Sequence, residues 1–196
     1  MKKIKPVILS GVVIAAILAS MACNPIENET RSASLLTVLS VQGVDSSGNA
    51  ADYLQSDVVN MSTGSAVVAP DVATATIRNT TLDPNPVGGV SQYNDVILTR
   101  YVVSYTQPNG AKAEGVDVPY SFEGALSATI PINGQVSFAF VVVRDVAKTE
   151  PPLVQLWDGV DVLQTTAKVE FFGHDVANRD IKATGYLTIF FANYAD

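Results

Sequence analysis

His174 is the only histidine in the chain and Cys23 the only cysteine. A histidine-based nucleophilic triad must therefore use His174, with a serine and an aspartate brought to it by the fold. His174 lies between Gly173 and Asp175, and no G-x-S-x-G elbow occurs anywhere. A polar turn residue is the expectation. The same two counts exclude a histidine-rich zinc site and zinc–thiolate ligation.

Hard cations need only oxygen, and two turns offer it. A calcium ion, with its six to eight oxygen ligands, would use Asp175, Asn178 and Asp180, or the run Asp45–Asn49. Neither has EF-hand spacing, and Arg179 competes for the carboxylates of the first. An Asx turn is the plainer reading of both, so no metal and no cofactor is expected. Glycoside hydrolysis needs two acids facing one cleft. Glu114, Asp117, Glu123, Asp158 and Asp161 fall in loops or strand ends, and no spacing singles out a pair, so no enzyme is expected. Gly88-Gly89 leads into a strand, not a helix, which excludes a nucleotide loop. Most aromatic residues sit inside apolar runs and are expected in the core. Trp157, in QLWDGVD, and Tyr93, in GGVSQYND, flank turns instead. They are the candidate ligand-binding rings, beside the irregular loop Asp83–Gly89.

Charge narrows the partners. The chain holds 12 basic and 19 acidic residues, and three of the basic ones are Lys2, Lys3 and Lys5. No basic cluster remains beyond them, so nucleic acid is not an expected partner.

Those three lysines precede an apolar run from Val7 to Leu18, followed by small residues up to Cys23. This is the order of a secretory signal, and the run is too short to span a bilayer comfortably. Ser20-Met21-Ala22-Cys23 resembles the lipobox of bacterial lipoproteins, although Ser20 and Met21 replace the preferred residues. Cleavage before Cys23 would leave a thiol with no partner in the chain, and thioether lipidation would consume it. The expected organisation is a signal peptide over residues 1–22, a polar tether over 23–33 and a domain over 34–196. The resemblance implies a membrane partner through the lipid on Cys23. Asn24, where aspartate would resemble an inner-membrane retention signal, implies the outer membrane. Oligomeric state stays open.

The domain has strand-and-turn composition. Leu35–Val41, Val72–Arg78, Val96–Thr106, Val116–Tyr120, Ala125–Ile130, Leu153–Trp157, Thr165–Phe172 and Ile181–Asn193 read as strands. Val72, Ala73, Ala75 and Ile77 are expected in the core. In Val96–Thr106, Ile97, Thr99, Tyr101, Val103 and Tyr105 are expected to share one face. Gln135–Val146 is nearly all apolar and predicts a central strand covered on both faces. About eight to ten strands result, with no amphipathic helix, in an all-β sandwich or barrel.

The ending FFGHDVANRDIKATGYLTIFFANYAD resembles the closing hairpin of bacterial immunoglobulin-like domains. The resemblance implies an antiparallel immunoglobulin-like or fibronectin-like β-sandwich, without the Cys…Trp…Cys core of antibody domains. A structural or protein-interaction lipoprotein of the cell envelope is the leading expectation, with another envelope protein as partner. A carbohydrate-binding or calcium-assisted adhesive module is the alternative.

Overall fold

The computed structural model describes residues 32–62 and 64–194. The expected signal segment, Cys23 and residues 24–31 of the expected tether lie outside the described residues; Ser32 and Ala33, expected in the tether, pack with the domain, Ser32 buried and the Ala33 carbonyl accepting from the Leu82 amide at 2.8 Å. The described chain is all-β, in two sheets. Its strands are β1 (Ser34–Val44), β2 (Ala50–Ala51), β3 (Tyr53–Asp57), β4 (Asp71–Thr81), β5 (Val96–Thr106), β6 (Phe122–Ile130), β7 (Gln135–Val143), β8 (Leu163–Asp175) and β9 (Asp180–Ala192). One sheet has the order β2-β1-β4-β7 and the other β3-β9-β8-β5-β6. Every neighbouring pair is antiparallel except β3 and β9, which run parallel. The expectation of an antiparallel fold is corrected at that pair. The chain leaves β2, passes Asp52 and crosses to the other sheet, so β3 lies beside a strand it could not reach by a hairpin.

Alternation builds the core, but two bulges shift its phase. In β5 the register slips between Leu98 and Arg100. Val96 and Leu98 are buried before the slip, and Tyr101, Val103 and Tyr105 after it. The expected single face is therefore split: Ile97 and Thr99 turn outward. β1 slips likewise between Val38 and Ser40, so that Leu36 and Val41 both point inward. In β4, Ala73, Ala75 and Ile77 are buried as expected, and simple alternation puts Val72 on the opposite, exposed face.

Aromatic rings join the sheets. Phe140 of β7 meets Tyr101 of β5 at 5.2 Å between centroids and Phe171 of β8 at 5.4 Å, both edge-on. Phe138 meets Phe171 at 5.5 Å. Edge-to-face rings add attraction to the area they bury. The Tyr105 hydroxyl donates to the Val142 carbonyl at 2.7 Å, so its polar end is satisfied inside.

Three expected elements differ. Val116–Tyr120 is a turn: the amides of Val116, Asp117 and Val118 converge on the Ala113 carbonyl, and buried Val118 pins the loop. Leu153–Leu156 is a 3-10 turn after Pro151-Pro152, with Leu153 fully buried. β7 stops at Val143, followed by the one-turn helix α1 (Asp145–Lys148), and it is an edge strand, not a central one. Its outward residues Ser137 and Ala139 are exposed, so the apolar run is covered on one face only.

The two ends of the molecule differ in what they gather. Ser32, the starts of β1, β5 and β9, and the ends of β4, β6 and β8 meet at the tether end. The ends of β3, β7 and β9 and the starts of β4 and β8 meet at the far end.

Candidate functional site

The five-stranded sheet outnumbers its partner, and the side where β6 and β7 lie is open. The two strands are joined by the turn Pro131–Gly134, closed by the Gly134 amide on the Pro131 carbonyl at 3.0 Å. Each is nine residues long and each is the edge of its own sheet. Inward-pointing Leu126, Ala128, Val136 and Phe138 pack on the core but stay only partly buried. Edge strands are ordinarily guarded by lysine, proline, bulges or shortness. β2 and β3 are short, at two and five residues, and Asp52 precedes β3. β6 and β7 each hold one residue more than their neighbour at a register shift, but they carry one charge between them, Glu123, which is held at 3.4 Å by Arg100. Gly124 makes room for the buried Tyr101 ring, because a Cβ there would stand 2.3 Å from it.

At the tether end the candidate calcium residues form a different device. The Asp175 side chain is fully buried, and both of its oxygens are engaged. One accepts from the Arg179 amide at 2.9 Å; the other accepts from Arg179 Nε at 2.8 Å and from the Ser32 hydroxyl at 2.7 Å. A cation here would have to displace a guanidinium. Asn178 occupies the left-handed turn position, at φ 60°, and Asp180 opens β9, paired in register with His174. His174 sets Nδ1 at 2.9 Å from the Asp175 carbonyl. Arg179 also reaches the Asn94 side chain at 3.3 Å, and the Ser34 hydroxyl donates to the Asn94 carbonyl at 2.6 Å. The knot thus ties the start of the domain to the β8–β9 turn and to the loop before β5. Among the described residues, no group of three His, Cys, Asp or Glu is placed to hold a metal.

Burial alone would push the Asp175 carboxyl up. The hydrogen bonds from Ser32 and the Arg179 amide, with the Arg179 charge, outweigh it and hold the group below the ordinary carboxylate range. A depressed carboxyl contributes stability above its unfolded pKa and loses it as pH falls through the folded value. Thermal stability is therefore expected to decline below about pH 4. Asp175→Asn is expected to cost about 1–3 kcal/mol at neutral pH and to flatten that decline. Melting curves of both proteins between neutral and acid pH check this; parallel curves would remove Asp175 from the account.

The far end holds a buried ion pair for which the sequence carries no signal. Lys148, 2% exposed, donates to Asp71 at 3.0 Å and to the Asp57 carbonyl at 2.7 Å. Ser56 donates to the other Asp71 oxygen at 2.6 Å. Burial raises the Asp71 carboxyl against the pull of Lys148 and Ser56. Lys148 stands in VRDVAKTE, and nothing in that spacing marks it as interior.

Trp157 belongs to this cluster. Its indole N–H donates to the Lys148 carbonyl at 3.0 Å, its ring packs on the core, and Asn193 donates to its carbonyl. Tyr93 is exposed at the tether end. The structure therefore places the two candidate rings at opposite ends, with the Asp83–Gly89 loop beside Tyr93 alone. The turn Asp45–Asn49 is an Asx turn: Asp45 accepts from the amides of Ser47 and Asn49, both at 2.8 Å. Glu114 accepts from the Ser121 amide, Asp117 from the Ala113 amide, and Glu123 pairs with Arg100. Glu114 and Asp117 brace the same loop through separate bonds, and Glu123 stands in β6.

One further cleft, of about 310 Å³, lies on the outer face of the five-stranded sheet. Arg100 stacks on Phe172 at 4.0 Å, and Lys182, His174 and Asp180 complete the rim. The residues that matter here come from three strands and are far apart in sequence, so spacing does not reveal them.

Two sheets, with the nine-residue edges β6 and β7 side by side, define an all-β protein. The chain matches no model of a known protein family, and no curated protein matches its sequence.

Proposed function

We propose that the protein is an exported, lipid-anchored module of the bacterial cell envelope, held at the outer membrane through Cys23. Its immunoglobulin-like sandwich serves binding or assembly, not catalysis. The observation that carries this reading is the β6–β7 side: two adjacent nine-residue edges with one charge between them. An extended segment of another envelope protein fits there. It would add to β7 as a strand and lay alternate apolar side chains on Leu126, Ala128, Val136 and Phe138. The main chain supplies affinity, and the pockets between those side chains supply selectivity.

A photo-crosslinking residue at Ser137 in the anchored protein is expected to give a discrete adduct with one envelope protein. The same residue at Thr188, on the outer face of the other sheet, is expected to give none. Ala139→Lys, which supplies a charged edge guard, is expected to abolish the Ser137 adduct. Equal labelling at both positions, or an adduct indifferent to the lysine, would sink the edge as the binding side. Anchoring is tested separately. The mature mass should equal residues 23–196 plus a diacyl or triacyl group, and extraction should require detergent.

The Arg100–Phe172 cleft favours a second reading, binding of an acidic sugar. Its cations would meet the carboxylate, and Phe172 would meet the ring.

A further inference from the structure

Two of the loops at the tether end hold long uncharged stretches. From Pro84 to Asn94 no residue is charged, nor is any in the turn Pro131–Gly134. The exposed large side chains there are apolar or aromatic: Leu82, Val87, Val90, Tyr93 and Val176. Val87 is fully exposed, and Tyr93 is 67% exposed. Tyr93 and Val176 flank one shallow recess of about 450 Å³ with Ser91, Gln92 and Asp95. The acids of this end are Asp83, Asp95, Asp175 and Asp180; Arg179 pairs with Asp175, and Asp95 accepts from the Ile132 amide at 2.8 Å. The far end carries more charge of both signs. Its loops 107–121 and 144–162 hold Glu114, Asp117, Asp145, Glu150, Asp158 and Asp161 with Lys112, Arg144 and Lys148. The uncharged run and the exposed apolar tips are therefore gathered at the end where the chain enters the domain.

That entry point is fixed. Ser32 is buried and bonded to Asp175, and the same knot binds Asn94 next to Tyr93. Nine residue steps separate Ser32 from Cys23. At full extension they span at most about 30 Å, so a lipid on Cys23 confines this end to the neighbourhood of the bilayer.

We infer that the tether end is a lipid-docking face. Val87, Val90, Tyr93 and Val176 enter the headgroup boundary, and the more charged far end points away from the bilayer. The inference rests on the anchored reading above. Each apolar tip gains little alone, but the covalent lipid already confines the domain, so shallow insertion of several tips is enough to orient it. Tyrosine suits this depth, with its ring in the apolar layer and its hydroxyl in water. The uncharged run from Pro84 to Asn94 adds no repulsion at anionic headgroups.

The test uses the full-length protein, processed and lipidated in a bacterial host, with Val87→Cys, Val176→Cys or Val160→Cys. All three sites are exposed, and Val160 lies at the far end. Each variant is labelled with an environment-sensitive fluorophore and placed in phosphatidylethanolamine–phosphatidylglycerol vesicles containing brominated lipid. Quenching at Val87 and Val176 is expected to exceed that at Val160 by about threefold or more. Tyr93→Asp is expected to reduce the Val176 signal towards the Val160 level. Equal quenching at the two ends of a protein whose mass shows the lipid would overturn the docking face and leave the anchor intact. A mass without lipid, with the protein free of vesicles, would overturn both.

Discussion

Lys148→Met is expected to destabilise the domain by about 3–5 kcal/mol, the usual cost of breaking a buried pair from one side. The variant leaves the Asp71 carboxylate in a site with little water and strips the Asp57 carbonyl of its donor. Methionine restores the apolar volume of the stem, so the loss reports the charge. Without Lys148 the Asp71 carboxyl takes up a proton still more readily. A folded state that binds a proton more tightly than the unfolded one gains stability as pH falls, so the deficit should shrink on acidification. Lys148→Met with Asp71→Leu should recover most of the loss, because buried pairs can often be replaced by apolar residues. Lys168→Met is the control. Lys168 is 41% exposed and paired at the surface with Glu170, and its loss should cost under about 1 kcal/mol. Urea unfolding of the four proteins at neutral and mildly acid pH decides the matter. A single Lys148→Met that unfolds at the wild-type midpoint would remove the pair from the account of stability.

Gly173→Val is expected to cost about 4 kcal/mol or more, enough to leave little folded protein. A Cβ at Gly173 would stand 2.1 Å from the Ile97 carbonyl oxygen and 2.8 Å from the Leu98 Cα, both backbone atoms that no rotamer change can move. The cause is the β5 bulge, which presses the main chain of β5 against β8. Gly88→Val is the matched control: nothing lies within 4 Å of a Cβ there, and its effect should stay near zero. Soluble yield and circular dichroism of the two variants separate the cases. A folded Gly173→Val protein would mean that the strand pair can open without cost.

Much of this architecture was legible because alternation and turn chemistry are local. The segments that became β1, β4, β5, β8 and β9 show in their apolar spacing, and Asp45–Asn49 shows as an Asx turn. The bulges were not legible. A slip at Thr99 or Leu39 adds one residue to a strand without altering its composition, yet it turns half of the side chains over. β7 misled for a related reason. Alanine and valine can face water on an edge as readily as they fill a core, so its composition cannot report how many faces are covered. The partner of β3 depends on strand order, which no local pattern encodes. Of the candidate site residues, Asp175 was found by its turn, but its carboxylate turned out to serve Ser32 and Arg179. Trp157 carried the aromatic signal, and packing with Lys148 claimed it. The β6–β7 side is defined by the scarcity of charge on its edges, and that acquires meaning only once the sheet order is known.

The position of β9 sets the timetable of assembly. β9 lies between β3 and β8, so residues 53–57 can find their sheet only after residues 188–192 have been supplied. Ser32 likewise waits for Asp175, 143 positions later. Closing loops of that length before any contact is gained makes folding slow. During synthesis, the five-stranded sheet therefore cannot close behind the advancing chain. The polypeptide stays threadable until its last strand arrives, and the same delay exposes β3 to mispairing and to proteolysis. Truncation before Asp180 should thus yield no smaller folded fragment, only a chain that is degraded.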